Sequence, residues 1–73
     1  MEESKSSICH HLYNALKCTR AHEDISYLHY DQRMADETGV EIVHVGYKGG
    51  YKFDIDVTAD SGIALIHDIL KRI

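Results

Sequence analysis

Six histidines, twelve carboxylates and two cysteines are the side chains of this sequence best suited to chemistry. Two constellations stand out by spacing. His29, His44 and Asp54 lie in three segments rich in β-favouring residues. A pair of imidazoles and a carboxylate can bind a divalent transition metal or move protons as general acid and base. His11, Cys18 and His22 fall at i, i+7 and i+11 of an N-terminal segment, where Cys18 and His22 on successive turns could share a metal. No Cys-x-x-Cys or His-Glu-x-x-His pattern accompanies either group, and the six histidines are scattered over the whole sequence. The reading is therefore no metal, no cofactor and no catalytic residue. No Gly-x-Gly-x-x-Gly or phosphate-loop lysine occurs, and Gly46 to Gly50 suits a hairpin tip better than a phosphate cradle. No nucleophile elbow occurs either. One thin core layer also leaves no deep cleft to exclude water, so the chain is expected not to be an enzyme.

The elements that would carry these residues follow from hydrophobic period. Residues 1–6 are polar and read as a lead-in, with Ser6 or Ser7 capping a helix. Ile8, Leu12, Ala15, Leu16 and Thr19 then repeat at amphipathic helical spacing, predicting a helix over 6–22 with His10, Asn14 and Lys17 towards solvent. Within it Cys9 and Cys18 lie nine residues apart, about 180° around the helix, and cannot bridge; each is expected to be a thiol at a buried helix edge. Strands are predicted at 25–33, 40–47 and 51–57. Asp36 to Gly39 forms one turn, and Lys48-Gly49-Gly50 the other. Asp60 or Ser61 caps a last helix, along which Ile63, Ile66, Leu70 and Ile73 recur, widened by Leu65 and Ile69. The fold class expected is α+β in the order α-β-β-β-α. A three-stranded antiparallel sheet carries two helices on one face, in a single domain over 1–73.

Hairpin register decides what lies on each face. A three-residue loop with a glycine bulge sets Tyr47 opposite Tyr51, Val45 opposite Phe53 and Val43 opposite Ile55, all six beneath the helices. A slip of one residue would expose both valines, so the apolar pattern selects this register. Leu28 and Tyr30 then face inward. The other face would carry Tyr27, His29, Asp31, Arg33, Ile42, His44, Lys52, Asp54 and Asp56, with His29, His44 and Asp54 in a row across three strands. A solvated face of interleaved charges is the ordinary reading of such a pattern.

Charge and size bound the function. Eight Lys and Arg against twelve Asp and Glu leave a net charge of −4, which disfavours unaided binding to phosphates. No run of 18 apolar residues spans a bilayer, and Met1-Glu2-Glu3-Ser4-Lys5 is unlike a secretory signal. Two cysteines cannot build a disulfide scaffold; the expected location is the cytoplasm. At 73 residues and 8.3 kDa, a chain buries only about 60% of its unfolded surface. A partner protein or a second copy is expected to supply the rest.

The segment Val43-His44-Val45-Gly46-Tyr47-Lys48-Gly49-Gly50-Tyr51 through Val57-Thr58-Ala59-Asp60-Ser61-Gly62-Ile63-Ala64 resembles small uncharacterised phage and mobile-element proteins of Gram-positive bacteria. Their Tyr-Lys-x-Gly hairpin precedes a Val-Thr-x-Asp-Ser-x-x-Ala helix start. The resemblance covers about half of the chain and brings no functional residues with it. It implies a small accessory protein, such as an anti-CRISPR-like inhibitor of a host defence nuclease. The functional expectation is a non-enzymatic acidic protein-interaction module. Tyr27, His29, Asp31, Glu41, His44, Asp54 and Asp56 would be its partner-binding residues, facing the basic groove of a nucleic-acid-handling enzyme. Tyr47 and Tyr51 would join Tyr27 as anchors near the rim. The alternatives are a nucleic-acid-associated regulator using Tyr27, Arg33 and Lys52, or a His/Asp metal protein.

Overall fold

The computed structural model describes residues 4–73; the first three residues of the expected lead-in lie outside them. Helix α1 runs Lys5–Leu16. Its cap is Ser4, whose hydroxyl accepts from the Ser7 N–H at 3.2 Å, so Ser6 and Ser7 lie inside the helix instead of capping it. The far end also differs from expectation. Residues 17–24 form turns, and the Thr19 hydroxyl donates to the Leu16 carbonyl at 2.7 Å, satisfying one of the carbonyls a helix leaves free at its C-terminus. Stopping there separates His11 from Cys18 and His22, which no longer share a helix edge. Cys9 is buried, while Cys18 is exposed and not at a buried edge. Burial pushes the Cys9 thiol up to about 11.

Strands β1 (Ile25–Tyr30), β2 (Ile42–Tyr47) and β3 (Lys52–Asp56) form an antiparallel sheet in the order β1-β2-β3. The expected hairpin register holds: Val43 faces Ile55 and Val45 faces Phe53. Gly50 takes φ 94° in the loop, a left-handed conformation that glycine reaches without a Cβ clash. Val43, Val45 and Ile55 are buried and Tyr47 and Phe53 half-buried, but Tyr51 remains 67% exposed at the hairpin mouth. In β1 the register shifts between Ile25 and Tyr27. That bulge at Ser26 lets Ile25 and Leu28, an odd number of residues apart, both face the core.

The connection from β1 to β2 contains a helix the periodicity did not announce. α2 covers Gln32–Thr38, so β1 ends at Tyr30 rather than 33, and most of the expected 36–39 turn is helical. The Asp31 side chain caps it, accepting from the Met34 N–H at 3.0 Å, and Gly39 ends it at φ 77°. Arg33–Glu37 and Gln32–Asp36 contacts run along its exposed surface.

Helix α3 spans Gly62–Arg72, with Ser61 at its cap position. Leu65 and Ile69 are its fully buried residues, whereas Ile63 is 72% exposed and Leu70 is also exposed. The helix is thus rotated from the Ile63–Leu70 stripe towards the Leu65–Ile69 ridge. Helix α1 lies over β1 and touches α3. Together they cover one face of the sheet around Val43, Val45, Ile55, Val57, Leu65 and Ile69, each at or below 1% exposure. Fully burying such a side chain contributes about 1.5–3 kcal/mol. The architecture is α+β, with an open three-stranded sheet.

Lys5 ties the start of α1 to the sheet. Its ammonium donates to Glu41 at 3.0 Å and to the Val57 carbonyl at 2.9 Å, while Glu41 also accepts from the Tyr30 hydroxyl at 2.6 Å.

Candidate functional site on the open sheet face

The face of the sheet away from the helices is built on His44 at the centre of the central strand. His44 lies opposite His29 on β1 and Asp54 on β3, so the expected three-strand row is present. The His44–Asp54 pair occupies a non-hydrogen-bonded ladder position, since Tyr47 N–H donates to the Tyr51 carbonyl and the pattern alternates from there. Such positions bring side chains closest together. His44 Nδ1 meets Asp54 Oδ1 at 2.7 Å, and its Nε2 meets Asp31 Oδ2 at 2.8 Å.

Carboxylates only accept hydrogen bonds, so both ring nitrogens must carry protons for both bonds to form. With both carboxylates ionised, the two bonds favour the imidazolium form of His44. Its pKa is raised above the ordinary 6.5, first by the Asp31 hydrogen bond and further by Asp54, against the opposing effect of burial. Asp31 is held below its ordinary range, first by His44 and then by the Met34 backbone N–H. One carboxylate thus caps α2 with one oxygen and clamps His44 with the other.

Aromatic rings extend the row. The His29 ring lies 5.1 Å from that of His44, tilted 34°, and Tyr27 meets His29 edge-on at 6.2 Å. Tyr27 lies across Gly46, where any Cβ would collide with its ring. A broad, shallow depression of about 640 Å³ is bordered by Tyr27, His29, His44, Lys52, Phe53 and Asp54.

Five of the seven expected partner-binding residues, Tyr27, His29, Asp31, His44 and Asp54, come together here. Glu41 does not: it is engaged by Tyr30 and Lys5, which together hold its pKa down, the Tyr30 bond foremost. Tyr30 is in turn pushed up to about 12 by burial and by Glu41. Asp56 belongs to the open face by register, but its carboxylate accepts from both the backbone N–H and the hydroxyl of Thr58, at 2.9 and 2.7 Å. Those bonds lower its pKa. Arg33 leaves the expected face altogether, because it sits on α2 beside Glu37.

Sequence reading missed the double role of Asp31 and the reason for Gly46. The first had a signal, an Asp three residues before Met34 with Gly39 downstream, which is a helix start and stop. The second had none, because a cross-strand ring lying over a glycine leaves no periodic trace. Among the described residues, no group of three or more His, Cys, Asp or Glu is arranged to hold a metal ion. No helix among them is long and apolar enough to cross a membrane. Neither protein-family models, curated proteins nor solved structures match this chain.

Proposed function

We propose that this chain is a non-enzymatic acidic binding module that docks its open sheet face on a cationic surface of a protein partner. The observation that carries the reading is the locked His44, with both nitrogens already bonded to Asp31 and Asp54. A ring so engaged has no lone pair free for a substrate proton or a metal, which supports binding over catalysis. It also holds Asp54, whose side chain is 63% exposed, in a fixed position before any partner arrives, and preorganised groups lose less entropy on binding. The net charge of −4 favours encounter with a basic groove. The most specific form of the reading, drawn from the resemblance of the C-terminal half to small phage proteins, is an inhibitor that occupies the nucleic-acid groove of a defence nuclease.

The test is affinity capture from the native host with the wild-type chain and with Asp54→Asn, followed by titration of the purified partner at low and high salt. A complex that weakens with salt and with the substitution supports the reading. A complex indifferent to both, or direct binding of oligonucleotides by the chain at low salt, contradicts it.

A further inference from the structure

The two edges of the sheet are not equivalent. The β1 edge is interrupted by the bulge at Ser26, and the Ser26 carbonyl accepts from the Tyr13 hydroxyl at 3.4 Å. Bulges of this kind blunt an edge against pairing. The β3 edge is regular over Lys52–Asp56 and has no neighbouring strand among the described residues. Tyr47 N–H donates to the Tyr51 carbonyl and Val57 N–H to the Glu41 carbonyl. By alternation Phe53 and Ile55 turn their backbone groups to β2, while Lys52, Asp54 and Asp56 turn theirs outward. This is an unpaired ladder of three residues.

Its side chains are self-complementary. Antiparallel pairing of two copies about Asp54 sets Lys52 of one copy opposite Asp56 of the other, twice, on the open face. On the helical face it sets Phe53 opposite Ile55, apolar against apolar. Moving the centre towards Asp56 would set Asp54 against Asp56, like charge against like. Moving it towards Lys52 would carry the outer pair into the Gly50 turn. The central Asp54 pair is itself like-charged, but each Asp54 already carries the His44 ring at 2.7 Å. Tyr51 and Phe53, whose rings lie 5.5 Å apart beside this edge, would be partly covered.

We infer that the β3 edge is a homodimer interface, joining two copies antiparallel about a two-fold axis at Asp54. The two three-stranded sheets then form one continuous sheet, and the two His29–His44–Asp54 rows run end to end across it. The pairing stands independently of the partner proposed for the open face.

Sedimentation equilibrium across the micromolar to millimolar range tests it, with circular dichroism confirming that each variant is folded. The wild-type mass should rise from 8.3 kDa towards twice that value. Lys52→Glu and Asp56→Lys should each shift association to higher concentration, because each sets like charges opposite. The double exchange should restore it. A wild-type chain that stays monomeric overturns the inference, as does a dimer indifferent to both single changes or not recovered by the double one. Should a variant fail to fold, amide exchange on the wild-type chain decides. The Asp54 N–H should slow with rising concentration and the outward Leu28 N–H on the opposite edge should not. Unchanged exchange at Asp54 overturns the inference.

Discussion

Strand β2 carries two kinds of order on its two faces. Val43 and Val45 point to the helices and are wholly buried, held by non-directional removal of apolar surface from water. His44, between them, points the opposite way and is fixed by two directional bonds to carboxylates on separate elements. The helical face should therefore respond to lost volume and hardly to pH. The open face should respond to charge and pH, and to added volume only at Gly46, where the Tyr27 ring lies across the strand. Adjacent residues of a single strand make the contrast direct.

The largest effects belong to the helical face. Leu65→Ala or Ile69→Ala removes a fully buried side chain and should cost about 2–5 kcal/mol, measured by urea unfolding. Native domains are stable by only about 5–15 kcal/mol and small ones sit at the low end, so either change threatens the fold. His44→Gln, which removes the charge pairing without opening the core, should cost clearly less; an equal loss would erase the contrast. Next comes Gly46→Ala, whose new methyl collides with the Tyr27 ring. Because those atoms are the far end of an exposed side chain that can swing aside, the loss should stay below the roughly 1–3 kcal/mol of overpacking a core. Adding Tyr27→Ala should recover most of the loss, and no recovery would show that the collision is not the cause.

Both faces were legible in the sequence where alternation was strict. The β2–β3 register follows from Val43, Val45, Phe53 and Ile55, because one residue of slip would expose the valines. The same argument placed His44 beside Asp54. Helix α2 was hidden because it buries none of its residues and so carries no apolar stripe. Only its capping chemistry, Asp31 and Gly39, announces it. On α3 the opposite problem arose. Its apolar residues cover about half of the circumference, so Ile63 and Leu70 on one flank look as suited to burial as Leu65 and Ile69 on the other, and only packing against the sheet decides. Alternation along β1 assigns Asp31 to the open face, which is only half of the explanation. Asp31 reaches His44 from a helix cap, not from an extended strand.

Smaller effects sharpen the open-face side. Asp31→Asn preserves the α2 cap, since Asn is as good a capping residue, and removes the charge beside His44. Asp31→Ala loses both and should lower Tm further; identical values would deny the double role. The stability gap between wild type and Asp31→Asn should also depend on pH. His44, with its pKa raised in the folded state, adds stability fully below its unfolded value of 6.5 and loses it as pH rises through the higher folded value. Asp31, with its pKa lowered, adds stability fully above 3.8 and loses it as pH falls through the lower folded value. The gap should be widest between 3.8 and 6.5 and narrow on either side. Thermal melts across pH, at low salt because exposed pairs are screened, measure it. A gap of constant size would assign the loss to packing.

The most direct measurement is a nitrogen-15 NMR titration of the His44 ring in wild type and Asp31→Asn. The expected result is a midpoint above 6.5, with both ring nitrogens protonated below it, moving down when Asp31 is replaced. A midpoint at or below 6.5, or one unmoved by the substitution, would contradict an open face organised by charge.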